Sequence, residues 1–441
     1  MPRSVGNKAV PFRKTGILSA ALLLACFSAG AVEAQTFDWK AHKGETIEFL
    51  ANNNPVSAAI LKYKDDFTRL TGITLKVDSY QEQQMRQRLL TVMNAHSNEV
   101  DVFMTLPSRE GAQFAAAGWY ADLNPLVKKQ ASPDYNFADL SPALVKAATF
   151  NGVFTGIPLN IEGPLLYYRT DIFAKCKAEP PKTIDDIAKV AKTIKACDSS
   201  ITPFATRGLK PALPYTFSAF LHNMGGSYMK DGKSNLCSAE GKKALSTYAG
   251  LLKNYGPAGV VNYSFYQLTA LYRAGRSAMS FQSSNEFPSI MQGGARLKDT
   301  AIVPLPPGQA GSHPTAIGWA LAVSKFSAHP DAAWYFVQWA TSPKMQARMA
   351  LEGIAPPRKS VADDPSYRKW LDEAPIRKQW QEAIDHLARE GTSEVGYPIV
   401  QNPQSREFIG QAVDSILLGT STADQACAAA DEKLNALINQ K

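Results

Sequence analysis

The chain has 441 residues, with 47 Lys and Arg against 39 Asp and Glu, for a net charge of +8. That mild balance, with no basic tract interleaved with aromatics, excludes a nucleic-acid surface. A hydrophobic content of 45% is ordinary for a globular protein, and the length suits two lobes around separate cores.

The N-terminus reads as an export leader. Arg3, Lys8, Arg13 and Lys14 precede an apolar run over 16–27, too short to span a bilayer. Val32-Glu33-Ala34 is a small-x-small cleavage pattern that makes residues 1–34 a signal peptide and Gln35 the mature start. A competing pattern, Leu23-Leu24-Ala25-Cys26, resembles a lipobox and anchors the chain through a diacylated Cys26. Removing the leader's four basic residues and one acidic residue lowers the net charge to +5. No later stretch has the unbroken apolar length of a transmembrane helix.

Strands are expected over 45–51, 73–77 and 100–104, with helices over 56–70 and 81–95 between them. This β-α-β-α-β order points to an α/β fold whose sheet is mixed and mainly parallel, flanked by helices. Ligands of such sheets sit at the carboxyl ends of the strands. Asn52, Asn53 and Asn54 after the first strand, and Thr105 to Arg109 after the third, are therefore cleft-edge candidates. Trp119 and Tyr120 read as core or rim packing.

Residues 151–173, NGVFTGIPLNIEGPLLYYRTDIF, read as two short strands with a polar junction at Glu162-Gly163-Pro164. A carboxylate between apolar segments is costly to bury unless it is hydrogen-bonded. Glu162 is thus either a solvated turn residue or a cleft group on a crossover between lobes. The segment resembles the first interlobe crossover of maltose-binding-protein-like (family 1) extracellular solute-binding proteins of ABC sugar importers. Gly152, Pro158, Glu162, Leu166, Tyr168, Asp171, Ile172 and Phe173 carry the match. The resemblance implies a two-lobe periplasmic-binding-protein fold, a clamshell with three interlobe crossovers. The expected limits are 35–160 and 305–355 for the N-lobe and 161–304 and 356–441 for the C-lobe. The segment 115–126 also resembles the family.

Further on, Thr183 with Asp186 makes a capping-box start for an amphipathic helix over 183–195. Tyr248, Leu251, Leu252 and Tyr255 form a packing stripe. The segment 273–281 resembles a family strand leading to the cleft, and Ser283, Asn285 and Glu286 follow it. Residues 302–307 resemble the second crossover and 353–360 the third. Residues 315–325, TAIGWALAVSK, are the second strong match. There Gly318 lets the backbone approach another surface closely. Trp319 offers a flat face and an indole N–H, as a cleft wall or as a core residue. Tyr397 begins a segment that in relatives crosses the cleft mouth.

Four cysteines remain beyond Cys26. No C-x-x-C is present, and an even count in an exported chain suggests disulfides. Cys176 and Cys197 end consecutive helices, and Cys237 then pairs with Cys427; the alternative is four buried free thiols. No metal-spaced histidines, nucleophile elbow, Walker loop or dinucleotide loop occur, so no cofactor and no catalytic residue is expected. A secreted carbohydrate-active enzyme, with Glu162 and Glu286 as its carboxylate pair, is the chief alternative. A third option keeps the fold with an anionic or amino-containing solute.

What the resemblance implies is a monomeric periplasmic component that captures a carbohydrate or polyol and delivers it to an ABC permease and its ATPase. Asn52 to Asn54, Gln81, Arg109, Glu162, Tyr215, Asn285, Trp319 and Tyr397 supply the planar polar and aromatic groups for sugar recognition. Arg109 is equally explained by a rim salt bridge.

Overall fold

The computed structural model describes residues 37–292 and 298–440. The leader, with Cys26 and the Ala34 cleavage site, lies outside them. Strands β1 (Thr46–Asn52), β2 (Thr74–Tyr80) and β3 (Val102–Thr105) alternate with helices, as the sequence pattern requires. Helix α1 (Pro55–Leu61) starts on a capping box of Asn54 with Ser57. The single helix expected over 56–70 is two: a break at Lys62–Tyr63 precedes a second helix, Lys64–Thr71. At the break both Lys62 and Tyr63 reach Glu352. Gly72 then stops the second helix in the left-handed conformation, which glycine adopts without a Cβ penalty. Helix α2 (Glu82–Asn94) follows β2.

Six more strands complete two sheets: β4 (Ile157–Pro158), β5 (Pro164–Arg169), β6 (Thr202–Ala205), β7 (Ser277–Ser283), β8 (Thr300–Pro304) and β9 (Ala320–Val323). The first sheet runs β2-β1-β3-β9-β4 and the second β8-β5-β7-β6. In the first, β1 pairs parallel with β2 and β3, while β9 is antiparallel to β3 and β4. In the second, β5 is antiparallel to β7 and β8, and only β7 with β6 is parallel. The sheets are therefore more mixed than the strand–helix alternation suggests. Strands joined by helices run parallel. Strands β5 and β9 instead enter their sheets from the other lobe, so no βαβ crossover fixes their direction.

Each sheet has its own core. Phe49, Phe103, Trp334 and Phe336 pack around the first. The second is covered on both faces. Leu166 of β5 joins a cluster with Phe204, Phe220 and Phe281, while Leu165 and Tyr167 join one with Trp380 and Leu387. The alternation follows the two-residue period of a strand.

Three passages link the lobes. The first runs from β4 to β5. The second returns near Ile317, later than the expected 303–307. The Ile184 N–H bonds Pro307, and Asn223 holds both Ala310 and His313 in place, keeping that loop with the second sheet. The third follows helix Pro343–Leu351, between Met349 of the first core and Ala355 of another. The passages lie side by side: Glu162 and Ile317 exchange backbone bonds of 2.8 and 2.7 Å, and the Ile161 N–H donates to Ala355 at 3.0 Å.

Helices α3 (Phe265–Arg273) and α4 (Asn402–Leu417) belong to the second lobe and face the first. The helix Ile184–Cys197 carries the expected cap from Thr183, and both expected disulfides are present, with Cα separations of 5.5 Å for Cys176–Cys197 and 5.3 Å for Cys237–Cys427.

Candidate functional site

The carboxyl ends of both sheets meet around a small polar chamber of about 30 Å³. Asn52 and Asn54 end β1, and Glu82 opens α2. Arg109 follows β3, and Glu162 lies on the first passage. Ser283, Asn285 and Glu286 close β7, while Arg207 follows β6. Tyr215, Phe265, Trp319 and Arg406 complete the wall, with Leu106 and Val395. A space of that size holds about one or two waters.

Glu162 is buried and accepts from the Ser283 hydroxyl at 2.8 Å and from the Asn285 amide. Asn285 in turn accepts from Asn160 at 3.0 Å, whose own oxygen takes the Trp319 backbone N–H at 3.0 Å. Burial pushes the Glu162 carboxyl up to about 7, against the bonds from Ser283 and Asn285 and the charge of Arg207. Glu286 accepts from Thr269 at 2.8 Å, and burial likewise raises it to about 7. Glu82 behaves oppositely. Burial alone would raise it, but Arg86, Arg109 and Arg207 outweigh that and hold it near 2.

Three arginines line the chamber, Arg109, Arg207 and Arg406, and Arg86 stands behind them. Arg86 and Arg109 pair with Glu82, and Arg86 also meets Glu110 at 3.2 Å. Arg406 donates to the carbonyls of Pro211 and Val395. Among the described residues Arg207 makes no ion pair and its Nε has no hydrogen-bond partner; its guanidinium lies 4.2 Å from the Tyr215 ring centre and 5.5 Å from that of Phe265. Asn52 Nδ2 is also buried with no hydrogen-bond partner among the described residues, while Arg109 Nε faces Glu110 at 4.0 Å and the Tyr215 hydroxyl faces Ser283. Such orphaned donors are rare in native interiors and mark a missing partner.

Of the residues expected from the sequence, Asn52, Asn54, Arg109, Glu162, Tyr215, Ser283, Asn285, Glu286 and Trp319 line the chamber together. Arg109 is at once a lining residue and an ion-pair partner. Trp319 is both wall and core: it is buried in the first lobe, with Arg86 5.4 Å over its ring. The other five lie elsewhere. Tyr397 packs in the second core with its hydroxyl bonded to Ser234, so it is a structural residue. Thr105 sits behind the wall, bonded to the Tyr120 hydroxyl at 2.8 Å. Gln81 and Asn53 are exposed beside the residues that do line the chamber. Gly318 faces a larger neighbouring cavity of about 500 Å³, where a Cβ would lie 2.2 Å from the Asn160 carbonyl. That cavity is walled mainly by apolar groups such as Leu144, Ile161 and Ala316, with Lys146 its one charged lining residue among the described residues.

Sequence reasoning missed Arg207, Glu82, Phe265 and Arg406. Arg207 had a usable signal, since it stands two residues past the carboxyl end of β6. Glu82 directly follows the expected Gln81. Phe265 and Arg406 sit on helices that only tertiary structure brings to the cleft.

Residues 51–347 match the profile of the family described as bacterial extracellular solute-binding protein. A mannitol-binding protein from Pseudomonas aeruginosa is 25% identical over 378 residues, covering 82% of this chain and 85% of its own. The fold matches a solute-binding protein from Agrobacterium radiobacter K84 in complex with ribitol, at a TM-score of 0.80 and 23% identity, over 90% of this chain and 99% of that one. A solute-binding protein from Thermotoga lettingae bound with α-D-tagatose matches equally, at a TM-score of 0.80 and 23% identity, over 90% of this chain and 100% of the other.

Proposed function

This chain belongs to the bacterial extracellular solute-binding protein family, and from that premise we propose that it captures a sugar or sugar alcohol between its lobes and delivers it to an ABC permease. The observation that carries the reading is the mismatch of partners around the chamber. Among the described residues Arg207 is a buried cation without an ion pair, and Glu162 and Glu286 are buried carboxylates without one. A hydroxyl both donates and accepts, so a polyhydroxylated solute supplies acceptors for Arg207 and Asn52 and donors for the two carboxylates. An anion satisfies only the first group and an ammonium only the second.

In this reading Glu162 receives ligand hydroxyls, Asn285 and Ser283 hold it in place, and Trp319 closes the wall. The mature chain is a monomer in the periplasm, released at Ala34 or held by a lipid on Cys26. Its partners are a membrane permease and an ATPase. Among the described residues, no helix is long and apolar enough to cross a membrane. The chain binds without catalysing. The competing enzyme reading rests on the same Glu162 and Glu286. A melting-temperature screen over sugars, polyols, organic acids and amines, with the products of each incubation chromatographed, separates the readings. A rise with sugars or polyols and no new product supports binding. Cleavage of an oligosaccharide, or a rise confined to acids or amines, refutes it.

A further inference from the structure

We infer that the chamber selects an open-chain polyol over a ring-closed sugar, and that Arg207 sets this preference. The inference rests on the sugar-or-polyol reading above and narrows it.

A pyranose has a polar equator and two C–H faces, and a site for it sets an aromatic face against one of them. Here the aromatic faces are already used. One guanidinium, that of Arg207, lies over both Tyr215 at 4.2 Å and Phe265 at 5.5 Å. Phe265 also lies against Tyr266, with ring centres 3.9 Å apart and the planes tilted by 34°. Arg86 lies 5.4 Å over Trp319. None of the three lining rings is more than 5% exposed.

Leu106 and Val395 aside, the rest of the wall is charged or polar, with Glu162 from the first passage, Glu286 from the end of β7, and Asn52 and Arg109 from the first lobe. A C–H face laid against it would strip charged groups of water and give nothing back. An open-chain polyol has no such face. Each carbon carries a hydroxyl, and rotation about its C–C bonds turns successive hydroxyls to opposite sides. It can meet the orphaned donors Arg207 Nε and Asn52 Nδ2 and the two carboxylates at once.

The test compares open-chain and ring-locked probes by titration calorimetry on the mature wild-type protein: ribitol and D-mannitol against methyl α-D-mannopyranoside and methyl α-D-glucopyranoside. The methyl glycosides cannot open. The expected result is at least roughly tenfold tighter binding of an open-chain probe, the weight of about one well-made hydrogen bond. Equal or tighter binding of a ring-locked probe overturns the inference and leaves the function above standing. No saturable binding by any of the four overturns both. Arg207→Lys keeps the charge but not the planar cover. It should lower open-chain affinity and shift the open-chain to ring-locked ratio by at least about tenfold, the scale of one lost hydrogen bond. An unchanged ratio in a variant with normal melting refutes the role given to Arg207.

Discussion

Glu162 and Trp319 share a hydrogen-bonded relay through Asn285 and Asn160, yet substitution should affect them in opposite ways. Glu162→Ala removes an acceptor for ligand hydroxyls and should cost about 1.5–3 kcal/mol of binding, the range for a charge-assisted hydrogen bond. Its folding cost is small by comparison, because burial already disfavours the charge. Trp319→Ala empties a site in the first core and should lower stability by about 3–5 kcal/mol. Calorimetric affinity and melting of the unliganded variants check both. Near-normal affinity in Glu162→Ala would remove it from the site. Glu162 and Glu286 also give a pH dependence. Both are raised from 4.5 to about 7, so the folded state holds more protons than the unfolded state between those values. Stability from these groups is therefore greatest at low pH and is lost as pH rises towards 7. Glu82, held near 2, contributes stability above 4.5 and does not vary in that window. Melting across this range should fall in wild type and flatten in the Glu162→Gln, Glu286→Gln double variant; equal slopes would contradict the assignment. Glu162 was legible in the sequence because a carboxylate amid apolar strand residues needs a reason. Arg207 was legible only by its place after β6, because nothing in Ala205-Thr206-Arg207-Gly208 shows that its partner is absent. That emerges only when opposed elements are assembled.

Helix α3 contributes more than the Phe265 wall. The Tyr266 hydroxyl donates to Asn52 Oδ1 at 3.2 Å and accepts the Glu82 backbone N–H at 3.0 Å, so one side chain of the second lobe ties β1 and α2 of the first. Across the chamber, Asn402 of α4 donates to the Ser108 carbonyl at 3.1 Å. Tyr266 does not line the chamber, so Tyr266→Phe tests closure without touching the ligand. Two lost bonds of about 0.5–1.5 kcal/mol each should weaken binding by about 1–3 kcal/mol, chiefly through faster release. Stopped-flow release rates and an unchanged unliganded melting point are the expected pair of results. These contacts are invisible in sequence, where Tyr266 and Asn52 are 214 residues apart. Elements with a local signal were readable. The cap at Thr183 and the stop at Gly72 came out as written in their residues. Strand direction did not, because β5 and β9 are placed by passages between lobes and not by their own composition.

At the scale of the molecule, the two lobes meet around the chamber, along the three adjacent passages and at the clefts beside helices α3 and α4. A space of about 30 Å³ admits no sugar or polyol, so the lobes must part for entry and close again behind the ligand. The passages are bonded side by side through Glu162, Ile317 and Ala355, which makes them a common hinge. Glu162 lies both on that hinge and on the chamber wall. The two-lobe plan was readable from the crossover at 151–173. The later return at Ile317 was not, since the loop 305–313 stays with the second lobe through contacts with Ile184 and Asn223. Capture requires closure of the lobes, which small-angle scattering reads as a change in radius. The mature protein, stripped of ligand, is measured alone and then with a saturating polyol whose binding calorimetry has confirmed. A smaller radius of gyration with the polyol is the predicted result; an unchanged radius at full occupancy would contradict the account.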